Sequence, residues 1–307
     1  MRNHIEIIMK KTDFPDEARE FFLMLYDKLG NDDFQILANL ENIYFMNGAD
    51  GKSSGEVNSL VYNELKSFAA GRALDYRAVQ MLFLIMCTKE LHVRYRENGL
   101  SDEMYYGIVR DLCYKVIECK KYDGIWGSMT FSWFHRHFLL TLYSLGRFQF
   151  EEAEFREGSY DFGDVHLKKG DRVINFHIPS SGPMTEELRL ESYRRAYEFF
   201  KREGDRYVVF VCCSWLIYPE NVNIYPEKSN LAGFMSDFDI IASYVHPVLP
   251  FPNAWRVFYK DYYGSTSAFP QNTRLEKNIV RWLDAGNKIG DGYGVIVFDG
   301  EKIVNKK

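Results

Sequence analysis

A loop rich in serine, glycine and proline separates an apolar strand from a helix in INFHIPSSGPMTEE, residues 174–187. Such a loop presents free backbone N–H groups and the positive end of the helix dipole, so an anion can bind there. An ordinary strand-to-helix turn with Thr185 as N-cap has the same composition, and Glu186 and Glu187 satisfy the helix terminus themselves. The residues leave both interpretations open.

Three polar side chains near this loop could take part in chemistry. His177 ends the strand beside it, where its imidazole could take a proton from a bound substrate or could only bond nearby backbone. Ser214, on the next strand, could polarise a carbonyl group or bond a neighbouring backbone group. Asn230, just after a possible Ser229 cap, has the same ambiguity.

The five cysteines are scattered without C-x-x-C spacing, which suits a reducing compartment and gives no zinc framework. Cys212 and Cys213 alternate across one strand, so at most one of them faces a cleft, and buried inert thiols are the alternative to a nucleophile. His135 and His137 would share a face on a strand but diverge by about 200° on a helix. We therefore predict no metal site.

The elements that precede these residues are predicted to be helical. Apolar residues recur at three- and four-residue spacing from Asp13 to about Gly146, with glycine or polar residues between the segments. The first helix is predicted to begin near Asp13 and the second to end at Gly48. The stretch TFSWFHRHFLLTLYSLG, residues 130–146, is apolar around most of its circumference, which predicts the buried helix of this domain.

After Gly146 the pattern alternates, which predicts strands and a new domain. VHL and VINFHI, joined by KKGD, are predicted to form a hairpin, and a long helix then leads to the continuously apolar strand YVVFVCCSWLI. The later segments predict a short helix in PEKSNLAGFM, strands in FDIIASYV and WRVFYKDYY, a helix opened by a Thr273–Glu276 capping box, and a terminal hairpin.

Composition excludes several classes of protein. The formal net charge of -5 argues against binding nucleic acid through phosphate neutralisation. The first residues lack a signal peptide's apolar stretch, and the run MLFLIMC is too short to cross a bilayer, so we expect a cytoplasmic protein that does not bind membranes. With 307 residues, two domains are expected, and we set them at 1–146 and 147–307.

Four segments carry a resemblance to a known family. FHIPSSGPMTEE, CCSWLIYPE, YPEKSNLAGF and TRLEKNIVRWLDAGNKIGDGYGV resemble, in this order and spacing, bacterial acyltransferase-domain proteins with a helical N-acyltransferase N-terminal domain and a GNAT-like C-terminal domain. The likeness is clearest from about Arg172 to Gly294. It implies an α+β fold, in which an all-helical domain precedes a mixed β-sheet with flanking helices.

The resemblance also implies a reaction. An acyl-CoA, for example acetyl-CoA, would be the cosubstrate, and a small amine of unknown identity would be the acceptor, with no metal. The residues implied for coenzyme A binding are Ser180, Ser181, Gly182, Pro183 and Thr185. The candidate catalytic residues are His177, Ser214 and Cys213, and those for the acceptor are Trp215 and Asn230.

Two departures from the family pattern leave alternatives open. The usual phosphate loop has Gln or Arg followed by two small residues, whereas this loop reads SSGPM, and Cys213 stands where a histidine is expected in relatives. The first departure favours a non-catalytic module that binds acyl-CoA or a protein partner. The second means that any mechanism needing that imidazole is lost or altered here. A third alternative is a Cys-His hydrolase or transacylase that uses Cys213 and His177.

Overall fold

The computed structural model describes residues 1–46 and 53–306, and the predicted helix end at Gly48 lies outside these ranges. The chain divides into two compact units, residues 1–144 and 145–307. The boundary set between residues 146 and 147 predicts that residues 147–307 can fold on their own, and this stays a prediction. No helix in the two described ranges is both long enough and apolar enough to span a membrane.

The first unit is helical. Its helices are α1 (Arg2–Lys11), α2 (Asp16–Asp27), α3 (Asn31–Phe45), α4 (Ser54–Ala70), α5 (Tyr76–Glu97), α6 (Asp102–Asp123) and the short α7 (His135–Phe138). Side chains of Ser53, Asp75 and Ser101 cap α4, α5 and α6, as their position before each apolar run favours. The sequence interpretation missed α1, which has no side-chain cap at its start to mark it.

The buried helix of this unit is α5, and the prediction of one buried helix over residues 130–146 is wrong. All residues from 78 to 88 of α5 are buried. The stretch 130–146 instead forms a 3-10 turn, α7 and a short strand, because the chain turns at Leu140, whose φ is +56°. His135 is buried there, with Nε2 at 2.9 Å from the Tyr44 carbonyl oxygen, so it holds the packing of α7.

The second unit is a mixed α/β structure, and the predicted fold class is confirmed. The strand β1 (Tyr143–Leu145) crosses the boundary between the units. The second unit continues with β2 (Phe148–Glu154), β3 (Ser159–Phe162), β4 (Val165–Lys168), β5 (Arg172–His177), β6 (Val208–Ser214), β7 (Asp239–Tyr244) and β8 (Asp291–Phe298). Its helices are α8 (Glu186–Phe200), α9 (Asn230–Met235), α10 (Trp255–Phe258) and α11 (Arg274–Asp284). Six strands form one sheet in the order β1-β2-β5-β6-β8-β7, and β3 pairs with β4.

Two strand predictions in this unit are wrong. β4, the VHL segment, pairs with β3 instead of β5, because the turn after it returns β5 to the main sheet beside β2. The segment WRVFYKDYY forms the short helix α10 instead of a strand, ending at Tyr259, whose φ is +52°. The predicted strand, helix and strand around the serine-rich loop is confirmed, since α8 joins the parallel strands β5 and β6.

The two faces of the main sheet differ in chemistry. Phenylalanine and tyrosine rings pack on one side against α8 and α9, with Phe176 and Tyr193 centroids 5.9 Å apart. Valines fill the other side, which we call the hairpin face, because β3 and β4 cover it through Tyr160 and Val165. Since side chains alternate along a strand, Asn175 and His177 project onto this second face, beyond the valines.

Candidate functional site

The sheet opens at the carboxyl ends of its two parallel strands. Over the described residues, β5 and β6 are in register at two pairs only, the second being Asn175–Val211. β5 stays paired with β2 as far as His177, and β6 stays paired with β8 as far as Ser214. The opening lies directly before the serine-rich loop. Backbone groups along such an edge can bond an extended ligand that carries amides.

His177 forms a polar cluster with two neighbours on the hairpin face. Its Nε2 lies 2.7 Å from Oε1 of Glu151 and 3.1 Å from Nδ2 of Asn175. Asn175 Nδ2 also donates to Glu151 Oε1, at 3.2 Å. An imidazole that donates its Nε2 proton to a carboxylate has its basic lone pair on Nδ1, and the carboxylate stabilises the cation that forms on protonation.

A cavity of about 320 Å³ lies at this opening, lined by Ala153, Glu154, Arg156, Asn175, His177, Val211 and Cys213. Of the predicted catalytic residues, the cavity therefore brings His177 and Cys213 together. Its walls come from β2 and the segment after it, from β5 and from β6. Glu154, Arg156, Asn175 and His177 make most of the lining polar or charged, so a ligand would be held there mainly by hydrogen bonds and ion pairs.

Two guanidinium groups hold the serine-rich loop from inside. The nearly buried Arg147 donates to the carbonyl oxygens of Pro179, Gly182 and Pro183 at 3.0, 2.8 and 3.1 Å. Arg189 donates to the Met184 carbonyl at 2.7 Å. Because these carbonyls are bound inward, the N–H groups are the backbone groups that the loop can offer to a ligand.

The outer side of this loop suits an anion. Within the described chain, the N–H groups of Gly182, Met184 and Thr185 have no hydrogen-bond acceptor. Gly182 has a φ of +99°, and a Cβ atom there would meet nothing within 4 Å, so the loop faces open space at this residue. Unbonded N–H groups at the start of a helix can bind an anion, with the α8 dipole behind it.

Thr185 is the N-cap of α8, as the turn interpretation predicted, and its Oγ1 accepts from the Leu188 N–H at 3.4 Å. Capping by this side chain leaves the loop N–H groups before it untouched. Ser180 is exposed and Ser181 half-buried at the loop's surface. The cap is therefore present, and coenzyme A binding by Ser180, Ser181, Gly182, Pro183 and Thr185 stays a prediction.

The other predicted site residues lie away from the cavity lining. Ser214 Oγ accepts from the Leu216 N–H at 3.2 Å and so caps a 3-10 turn. Trp215 is buried and packs edge-on against Phe251, with centroids 5.4 Å apart. Asn230 is exposed at the first turn of α9, which Ser229 caps. Catalytic and acceptor-binding roles for Ser214, Trp215 and Asn230 stay predictions.

Cys213 is the exposed cysteine of the five, but its environment does not favour the thiolate. Partial burial raises the pKa of its thiol above the ordinary value of 9.0, and the nearby Arg156 guanidinium offsets this only in part. At neutral pH the side chain is therefore a neutral thiol. A neutral thiol is a poor nucleophile and a weak hydrogen-bond donor.

This environment predicts slow chemistry at Cys213. Iodoacetamide should label Cys213 slowly at neutral pH, and the rate should still be rising above pH 9, because the reactive thiolate forms only there. Cys213→Ala should change any turnover by far less than the roughly 10²-fold expected for a residue that takes part in proton transfer or attack. Labelling is followed by peptide mass spectrometry. Fast labelling with loss of turnover would favour the Cys-His alternative.

Several residues of the site were not predicted from the sequence. Asn175 could have been found, since it lies two residues before His177 and so shares its face. Glu151 is brought to His177 by the pairing of β2 with β5, which the sequence does not reveal. In the sequence, Arg147 marks only the start of the second predicted domain. Its contacts depend on how the loop folds back over β2.

A parallel strand-loop-helix-strand unit that opens beside its loop defines the GNAT-like class of domain. Residues 142–296 match the GNAT-like C-terminal domain, and residues 4–140 match the N-acyltransferase N-terminal domain. The chain therefore belongs to the family of two-domain proteins that join these domains. A search of curated protein sequences gave no significant match.

Solved structures share the fold over both domains. An acyltransferase in complex with decanoyl-CoA and teicoplanin has a TM-score of 0.72 at 18% identity, covering 94% of this chain and 86% of that chain. A mutant acyltransferase in complex with octanoyl-CoA has a TM-score of 0.71 at 18% identity, covering 96% and 86%. An acyltransferase in complex with CoA and 10C-teicoplanin has a TM-score of 0.71 at 18% identity, covering 94% and 85%.

Proposed function

We propose that this protein is an acyl-CoA-dependent N-acyltransferase that transfers an acyl group from coenzyme A to a small amine. The observation that carries the proposal is the conjunction at the end of β5. There the opened sheet edge, the loop with unbonded N–H groups and the His177–Glu151 pair follow one another within a few residues. Relatives of the same fold that bind acyl-CoA or CoA support it.

In this proposal the diphosphate of coenzyme A binds at residues 180–185, and its amide-containing arm enters the opening between β5 and β6. The arm bonds strand backbone as an added strand would. Arg147 and Arg189 hold the loop in its binding conformation, so little ordering is needed when the phosphates bind. The thioester then lies in the cavity beside His177 and Cys213.

The reaction needs one base and one proton donor. The amine nitrogen attacks the thioester carbonyl carbon, a C–N bond forms, and the C–S bond breaks. His177 takes the proton that the amine loses, and the leaving thiolate of coenzyme A takes it in turn. Glu151, at 2.7 Å from the ring, stabilises the imidazolium between these steps. An amide and free coenzyme A are the products.

Gly182→Val should weaken coenzyme A binding about tenfold or more, because a β-branched side chain at this φ strains the loop and projects into the proposed phosphate position. Gly204→Val is the matched control. Gly204 also has a positive φ, +87°, with nothing within 4 Å of a Cβ, but lies in the turn after α8. Calorimetric titration with coenzyme A measures both. Equal affinities of the two variants would remove the loop from the binding site.

The alternative is a non-catalytic module that binds acyl-CoA, and the unusual loop sequence SSGPM favours it. The two functions differ in what an amine does to bound thioester. A transferase releases coenzyme A in proportion to the amine supplied, whereas a binding module holds octanoyl-CoA intact. A thiol-detecting assay with a panel of amines distinguishes them. A melting temperature raised by coenzyme A is expected for both.

A further inference from the structure

One wall of the cavity is built by the segment that leaves β2. The Phe155 ring lies 6.1 Å from the Tyr293 ring of β8, and Tyr244 of β7 donates a hydrogen bond to the Glu157 carboxylate. The segment from Phe155 to Glu157 therefore crosses the hairpin face toward β7 and β8. Arg156, between these two anchored residues, lines the cavity.

The Arg156 guanidinium is held without a carboxylate. It lies 5.0 Å from the centroid of the Tyr293 ring, and it lines the cavity together with Cys213. In the part of the chain that the structure describes, no carboxylate oxygen is within 4.0 Å of its nitrogens. By contrast, Arg72, Arg77, Arg172 and Arg189 of this chain all form ion pairs with carboxylates.

A guanidinium placed in this way is suited to one kind of ligand group. Its planar set of N–H donors matches the two oxygens of a carboxylate, and stacking on an aromatic ring fixes the plane while leaving an edge to bind. Glu154 and Arg156 both line this cavity and are both exposed, but side chains alternate along β2, so the Glu154 side chain projects from the face opposite Ala153. Glu157 is directed to Tyr244, so Arg156 is the charged side chain that this segment offers to the cavity.

We propose that Arg156 binds a carboxylate of the acceptor, so that the acceptor is a small amino acid whose amine points to His177. This inference rests on the proposed transferase function. A cavity of about 320 Å³ is large enough for a small molecule. Arg156 enters it from the segment after β2, and His177, which is paired with Glu151, enters it from β5. An amino acid has one group for each.

A phosphate of coenzyme A is the other anion that Arg156 could bind. In the proposed function the diphosphate binds at the loop that Arg147 and Arg189 hold. The 3′-phosphate is then the coenzyme A group that Arg156 could bind. Calorimetric affinities for coenzyme A and dephospho-coenzyme A separate these sources. If Arg156 serves the acceptor, Arg156→Gln lowers neither affinity. A loss of affinity for coenzyme A alone assigns Arg156 to the phosphate and overturns the proposal.

The decisive experiment compares phenylalanine with 2-phenylethylamine, and alanine with ethylamine, as acceptors for octanoyl-CoA. The wild-type protein should prefer the carboxylate-bearing member of each pair, and Arg156→Gln should lower kcat/KM for the amino acids roughly 10²-fold while sparing the amines. The ratio within a pair cancels the intrinsic reactivity of each amine when the variant is compared with wild type. Arg156→Lys should recover part of the preference, and Arg206→Gln, at an exposed arginine, should retain all of it.

Equal losses for both members of each pair, or no wild-type preference, overturn the proposal. A protein that acylates no amine would contradict the transferase function without testing the carboxylate site. In that case, calorimetric binding of phenylalanine in the presence of coenzyme A still tests Arg156. Binding that Arg156→Gln weakens at least tenfold supports the carboxylate site without catalysis, and acylated amines without carboxylate preference support the transferase without the site.

Discussion

His177→Gln should lower the rate of acyl transfer by roughly 10²-fold or more, the scale of general acid-base catalysis, while coenzyme A affinity stays nearly unchanged. Glutamine keeps a hydrogen bond to Glu151 but cannot accept the amine's proton. In the proposed function the phosphates bind to loop backbone that Arg147 and Arg189 position, and neither arginine contact involves the imidazole. Single-turnover kinetics and calorimetry of the same samples separate chemistry from binding.

His166→Gln is the matched control for this prediction. His166 lies on β4 with a side chain that is 70% exposed, and it forms a similar pair with Asp161 at 2.6 Å. Its replacement should leave the rate unchanged. A wild-type rate in His177→Gln would contradict the assignment of a base. Loss of stability without a specific rate defect would show that the imidazole only holds Glu151 and Asn175 in place.

Asp237→Asn should lower the free energy of unfolding by about 3–5 kcal/mol, the usual cost of leaving one charge of a buried pair without its partner. Asp237 accepts from Arg189 Nε at 2.6 Å, and both side chains are 3% exposed. Lys306 is also within 3.0 Å of the carboxylate. Urea titration followed by far-ultraviolet circular dichroism measures the change.

The same substitution should also weaken coenzyme A binding, because Arg189 holds the Met184 carbonyl of the loop as well. Asp164→Asn is the control. Asp164 pairs with Arg206 at 3.4 Å, its side chain is 82% exposed, and its replacement should change stability by no more than about 0.5 kcal/mol. Equal stability of the two variants would contradict the expected cost of breaking this buried ion pair, and an unchanged affinity for coenzyme A would show that the pair does not hold the loop.

Local sequence signals predicted the elements that depend on neighbouring residues. Thr273 and Glu276 form the expected capping box, and Ser229 caps α9, because both motifs are complete within four residues. The prediction of one helix over residues 130–146 is wrong because apolar residues around a whole segment do not distinguish one helix from several short buried pieces. The left-handed backbone conformation of Leu140 could not be predicted from the sequence, because leucine rarely adopts it.

The candidate site was predictable in part for the same reason. His177 and the loop follow one another in sequence, so their proximity needs no tertiary contact. Glu151 and Arg156 reach the site through strand pairing and a crossing segment, which no local pattern encodes. The sequence suggests Ser214 as a group that could contact a substrate. In the structure its hydroxyl oxygen accepts from the backbone N–H two residues later, a local bond that serine commonly makes.

The most direct test of the proposed function is amine-dependent release of coenzyme A from octanoyl-CoA, measured with a thiol reagent and confirmed by the mass of the amide product. The account predicts release that rises with amine concentration and falls roughly 10²-fold in His177→Gln. Octanoyl-CoA that binds but stays intact with every amine would contradict the transferase and identify a binding module.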